Sequence, residues 1–219
     1  MVHHRLPRDA TLMTTPFIDL LAKTRATAIL RTHLTDAAAP AMEAAIRGGF
    51  TILEFTLTTP GALDLIREFS ARPGVTVGAG TVLTVDDAAA AVEAGAKFLV
   101  SPVVDEEIIA VAGKLNVPMM PGCATPTEML KAHHAGAPLQ KLFPQQDPVW
   151  VRQTLGPLPF LRIVPTSGVH LNNCTAFLKA GAFAVGFVNT LFDANDMTNG
   201  EFERIEDRAR NMLAEVKRA

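Results

Sequence analysis

The chain has little cysteine, no basic run and no long apolar stretch. Its 219 residues contain only Cys123 and Cys174, which are too few for a disulfide framework and have no CxxC spacing. A reducing, cytoplasmic setting follows most simply. Lys and Arg number 20 against 22 Asp and Glu, and no cluster of either sign stands out. A formal charge of -2 supplies no global attraction to nucleic acid or to an anionic membrane, so neither is expected as a partner. No segment reaches the length of a bilayer span. The opening residues, MVHHRLPRDATLMTT, lack the apolar centre of a signal peptide and read as an extension over residues 1–15. No glycine-rich dinucleotide turn occurs, which removes support for an open doubly wound sheet.

What remains is a repeat. Hydrophobic residues make up 48% of the chain, enough for a large core. Short β-branched runs appear at 27–31, 52–57, 75–81, 98–102, 118–123, 139–144, 161–167 and 183–187. Helical periodicity falls between and after them, at 36–48, 62–71, 86–94, 105–115, 126–135, 148–155, 171–180 and 201–217. Several of these helices end at glycine, as in Gly95-Ala96, Gly136-Ala137 and Gly181-Ala182. Right-handed βα units repeated in this way close into a (β/α)8 TIM barrel, here over residues 16–219. One extra helix, 16–24, precedes the first strand and suits the bottom of the barrel.

In a barrel, alternate strand residues point inward. In LQKLFP, Leu142 suits the helix layer, so Lys141 points at the barrel axis. In ILEFTL, Leu53, Phe55 and Leu57 face the helices and Glu54 points inward. Arg31 ends the first strand on the side of Ile29. An isolated buried charge is costly, so the three must compensate one another. They form either a buried ion-pair network or a nucleophilic lysine with a proton-moving carboxylate. Desolvation and a neighbouring cation lower a lysine pKa and free the amine to attack a carbonyl. The histidines form no metal-ligand pattern: His3 and His4 lie at the terminus, His133 and His134 at a helix end. Neither a metal nor another cofactor is expected.

The pieces AILR (28–31), GGFTILEFTL (48–57), VGAGTVLT (77–84), PGCATPTE (121–128), LQKLFP (139–144) and VPTSGV (164–169) stand in an order that resembles one family. It comprises the class I aldolases acting on 2-keto-3-deoxy-6-phosphogluconate and 4-hydroxy-2-oxoglutarate, with relatives acting on the galactonate analogue. The resemblance implies Schiff-base cleavage of a 2-keto-3-deoxy sugar acid, or a 4-hydroxy-2-oxo acid, to pyruvate and an aldehyde. It implies Lys141 as the imine-forming residue and Glu54 as general acid and base. Thr81 would bind the pyruvyl part, Arg31 an anionic group, and Pro121 and Phe143 would form pocket wall. A homotrimer is implied as well. Two alternatives stay open: imine-dependent decarboxylation of oxaloacetate-like acids, and a non-catalytic barrel that binds a sugar acid.

The chain departs from this pattern twice. Thr58 stands where the gluconate-type relatives carry an arginine. The anion loops are also altered: Thr166, Ser167 and Gly168 form the first, Gly186 and Phe187 lead into the second, and Val188 follows. Either the Phe187 ring turns into the helix layer and backbone N–H groups still hold a phosphate, or the aldehyde half differs in charge or shape.

Overall fold

The computed structural model describes residues 15–219, so the expected extension over 1–15 lies outside the described residues apart from Thr15. The strands are β1 (Ala26–Leu30), β2 (Ile52–Thr56), β3 (Thr76–Gly80), β4 (Leu99–Val100), β5 (Met119–Met120), β6 (Gly122–Cys123), β7 (Gln140–Leu142), β8 (Ile163–Pro165) and β9 (Val185–Phe187). The helices are α1 (Pro16–Thr24), α2 (Thr35–Arg47), α3 (Ala62–Ser70), α4 (Val85–Glu93), α5 (Glu106–Lys114), α6 (Pro126–His134), α7 (Pro148–Leu155), α8 (Cys174–Lys179), α9 (Ala194–Asn199) and α10 (Phe202–Val216).

Local chemistry places the helix starts. Thr84 with Asp87 and Thr125 with Glu128 form reciprocal capping boxes ahead of α4 and α6. Asp105, Asp147 and Asp193 cap α5, α7 and α9 with their carboxylates. The short α9 was not expected from the sequence. Its signals were Asp193 at one end and Gly200, at φ +69°, at the other. Helix α8 starts at Cys174 rather than at 171. The Asn173 carboxamide accepts from the His170 N–H at 2.8 Å, and the His170 ring accepts from the Asn172 N–H at 3.3 Å. Such side-chain bonds favour a turn over helix.

All strand pairs are parallel. Six strands form one sheet in the order β5-β4-β3-β2-β1-β9, and three form another in the order β6-β7-β8. Pro121 has no N–H and separates β5 from β6 within one extended run. At the other seam the Phe183 N–H donates to the Ile163 carbonyl at 2.8 Å, between β8 and β9. This is an α/β fold with an N-terminal helix and parallel strands in two adjoining sheets.

The expected alternation along strands holds. Leu53, Phe55, Leu142 and Phe187 pack on the helices in one core. Ile52, Phe98, Val100, Met120, Leu139, Val164 and Ala184 form a second core on the opposite face, and α1 inserts Phe17, Ile18 and Leu21 into it. Phe17 stacks on Phe98 at 4.1 Å between centroids. Gly78 makes this possible, since a Cβ there would lie 2.5 Å from the Phe98 ring. The apolar inner core carries the site above it. No helix among the described residues is long and apolar enough to cross a membrane.

Candidate active site

Strand β7 delivers Lys141 to the inner face. The Lys141 N–H donates to the Pro121 carbonyl at 2.9 Å, so the kinked run around Pro121 fixes the register of the lysine. Lys141 is only 5% exposed. Its Nζ lies 5.4 Å from the centroid of the Phe143 ring, within reach of a cation–π attraction. Strand β2 delivers Glu54, which is fully buried. Its carboxylate lies over Gly80 of β3, where a Cβ would come within 2.0 Å of Oε1. The glycine is therefore a seat for the carboxylate. Gly80→Ala is expected to displace Glu54 and lower kcat about a hundredfold with the fold retained, since misplacement by about 1 Å costs that much. Steady-state kinetics beside a circular dichroism melt check it.

The surroundings of Lys141 and Glu54 differ from those of a satisfied structural ion pair. Both Glu54 oxygens lack a hydrogen-bond partner among the described residues. A network built for stability would satisfy them, because unpaired buried acceptors are costly. Burial pushes the Glu54 carboxyl above its ordinary range, while the charges on Lys141 and Arg31 pull it partly back. Burial lowers the Lys141 ammonium, Glu54 opposes that shift, and Arg31 adds to it. Each group is thus moved toward its neutral form, as proton transfer near neutrality needs. The buried Cys123 thiol is unsuited to the task. Burial, with the Glu128 charge behind it, pushes the Cys123 thiol up to about 12.

Lys141 opens on a cavity of about 270 Å³. Ile29, Arg31 and Phe143 line one side, and Thr166, Ser167, Gly168 and Val169 line the loop after β8. Val188, Asn189 and Thr190 close it from the loop after β9. The Thr190 hydroxyl donates to the Val169 carbonyl at 2.6 Å and ties these loops together. A larger cavity, about 460 Å³, lies between Thr58, Pro60 and α4. It contains no lysine to form an imine, so the smaller one is the candidate site.

The structure thus brings Lys141, Arg31, Phe143, Thr166, Ser167 and Gly168 to one cavity, with Glu54 coupled to Lys141 by charge. Thr58 lines the other cavity and exchanges a hydrogen bond with the Thr56 hydroxyl at 3.0 Å. Arg31 differs from expectation. Strand β1 ends at Leu30, and Arg31 is exposed at the cavity rather than buried on the axis. Thr81 follows β3 at φ +60°, a left-handed conformation rare for a β-branched residue and common where strain serves a site. Gly186 faces inward under Ile29 and Thr166. The Phe187 side chain points away, edge-on to Phe50 at 6.0 Å and 77°. The ring lies in the helix layer. Val188, which the sequence places in the second anion loop, lines the cavity together with Asn189 and Thr190.

Known proteins resemble this chain in sequence and in fold. Residues 18–208 match the family described as KDPG and KHG aldolase. A 2-dehydro-3-deoxy-phosphogluconate aldolase of Pseudomonas aeruginosa is 36% identical over 188 residues, covering 82% of this chain and 84% of that protein. A KHG/KDPG aldolase of Escherichia coli is 32% identical over 184 residues, covering 82% and 86%. Among solved structures, a native KDPGal structure superposes with a TM-score of 0.80 at 27% identity, covering 88% of this chain and 94% of that one. The KDPG aldolase of Legionella pneumophila, with pyruvate captured as a covalent carbinolamine intermediate, gives 0.80 at 26% identity, covering 90% and 98%. The chain belongs to the KDPG and KHG aldolase family.

Proposed function

We propose that the protein is a class I aldolase that cleaves a 2-keto-3-deoxy sugar acid, or a related 4-hydroxy-2-oxo acid, to pyruvate and an aldehyde. The observation that carries this reading is a buried lysine of lowered pKa beside a buried carboxyl with no hydrogen-bond partner among the described residues. The relatives' activity supports it. Lys141 attacks the C2 carbonyl as a neutral amine. Glu54 supplies and removes protons as the carbinolamine forms and loses water. The resulting iminium is an electron sink. The C3–C4 bond breaks as Glu54 takes the C4 hydroxyl proton, and the electron pair enters the enamine. Protonation at C3 and hydrolysis then release pyruvate. Arg31 at the cavity holds an anionic group of the substrate, and Thr81 holds the pyruvyl part. Phe143 and Pro121 shape the wall around Lys141.

We further propose that the two sheets are one closed (β/α)8 barrel spanning residues 16–219. The contiguous run through Pro121 and the Phe183–Ile163 hydrogen bond support closure. Two unpaired buried cysteines support a reducing, cytoplasmic compartment. On the family resemblance the chain assembles as a homotrimer, which sedimentation measures directly.

Borohydride reduction in the presence of pyruvate tests the chemistry. The expected result is an adduct of reduced pyruvate on the peptide containing Lys141, seen by intact mass and peptide mapping. A folded protein that takes up no adduct, beside a working control aldolase, would remove the imine mechanism and return the lysine to a structural ion-pair role.

A further inference from the structure

The ladder between β1 and β2 ends at the Leu30–Phe55 pair, one residue before Arg31. Arg31 is exposed, so the path of its backbone decides where its side chain reaches into the cavity. Past the ladder, hydroxyl groups hold that path. The buried Thr32 N–H donates to the Thr59 hydroxyl at 3.3 Å. The Thr59 hydroxyl also shares a hydrogen bond with the Thr56 hydroxyl at 3.2 Å, and Thr56 shares another with Thr58 at 3.0 Å. Thr56 is fully buried at the end of β2, two residues from Glu54 and on the same face. Thr59 is itself fixed. Its N–H donates to the Thr56 carbonyl at 2.8 Å, and its carbonyl accepts from the Ala62 N–H at 3.1 Å. On the other side, the Thr32 hydroxyl accepts from the Leu34 N–H at 3.0 Å and shapes the turn before α2. Arg31 therefore stands between two ties to β2, the ladder at Leu30 and the Thr59 hydroxyl at Thr32. Its charge acts on both Glu54 and Lys141 from there.

We infer that Thr59 is a positioning residue for substrate binding: by holding the Thr32 N–H it fixes the turn after β1, and with it the place of the Arg31 guanidinium at the carboxylate of a keto acid bound to Lys141. The inference rests on the aldolase reading above. Thr59 does not line the cavity of Lys141, so it acts through Arg31 and not on the reacting atoms. A side chain is needed for this task because the backbone ladder has already stopped. A hydroxyl is needed because a buried N–H left without an acceptor is costly, and the turn would shift to find one. Valine has the shape of threonine and cannot accept that bond.

Borohydride trapping over a series of pyruvate concentrations, read by intact mass, gives the half-saturating concentration and the adduct yield at saturation. Thr59→Val is expected to raise the half-saturating concentration about fivefold, the effect of one neutral hydrogen bond, with the saturating yield retained. Thr59→Ala removes the same hydroxyl and should give the same rise, so a poorly folding valine variant does not end the test. Thr59→Ser keeps the hydroxyl and should bind pyruvate like the wild type. Arg31→Met should raise the half-saturating concentration by at least as much, and Thr59→Val should add nothing in that background, since residues acting as a unit are not additive. Unchanged half-saturation in the folded valine and alanine variants would overturn the inference and leave the aldolase reading intact. So would an equal rise in Thr59→Ser, which assigns the effect to packing, or a full further rise in the Arg31→Met background, which separates Thr59 from Arg31. Wild-type protein that traps no pyruvate at any concentration would overturn both readings.

Discussion

Lys141→Met should abolish the pyruvate adduct and lower turnover about a millionfold, the scale seen when a covalent nucleophile is lost. Methionine preserves most of the buried stem, so the loss reports the amine and not a cavity. Arginine in its place would keep the charge but cannot form the imine. The stability of the variant carries a second sign. The Lys141 pKa is depressed, so its contribution to stability is complete only above the unfolded value, near 10.5, and is lost as pH falls through the folded one. Below the unfolded value the lysine therefore costs stability, and methionine removes that cost. Removing it also takes away the charge that pulls Glu54 down, so the Glu54 carboxyl rises further. A group raised above its unfolded value of 4.5 stabilises below that value and loses the contribution as pH climbs. Lys141→Met should accordingly gain most over the wild type in mild acid, with the gain shrinking as pH rises. A pH series of thermal melts measures it. A variant that is less stable in mild acid would mean that Lys141 and Glu54 are primarily a structural pair.

Much of this site was legible in the sequence because strands and helices differ in period. Lys141 lies beside Leu142, and Glu54 between Leu53 and Phe55, so one face of each strand had to carry the charge. The capped helices were equally readable, since Thr84, Thr125 and Asp147 do their work within a few residues. What stayed hidden was set by contacts distant in sequence. Gly80 looks like one glycine of a GAG run until the Glu54 carboxylate is seen lying over it. Thr58 occupies a motif position beside the carboxylate strand, yet the turn after β2 carries it into a different cavity. Arg31 was placed on the axis because the apolar run includes it, whereas the ladder stops one residue earlier. Strand ends depend on the partner strand, and a single run of residues does not contain that information.

Glu54→Gln should lower kcat for aldol cleavage about 10²- to 10⁴-fold, the usual cost of losing a positioned acid or base, while pyruvate remains trappable on Lys141. Glutamine keeps the shape that fits over Gly80, so the change isolates the proton-transfer function. Imine formation with pyruvate can proceed slowly with protons from solvent. C–C cleavage needs a base positioned at the C4 hydroxyl. The two assays should therefore diverge in this variant and fall together in Lys141→Met. The pH profile gives an independent reading. In the wild type, Glu54 is raised from 4.5 and Lys141 lowered from 10.5, so the two ionisations move toward one another and belong to the pair. Removing the carboxylate deletes one ionisation. It also removes the charge that raises the amine, so the remaining ionisation moves to lower pH. Rates of imine formation across pH, followed by rapid borohydride quench, should show that displacement. An unchanged profile with undiminished cleavage would place the catalytic base on another residue and leave Glu54 as a buried carboxyl retained for packing over β3.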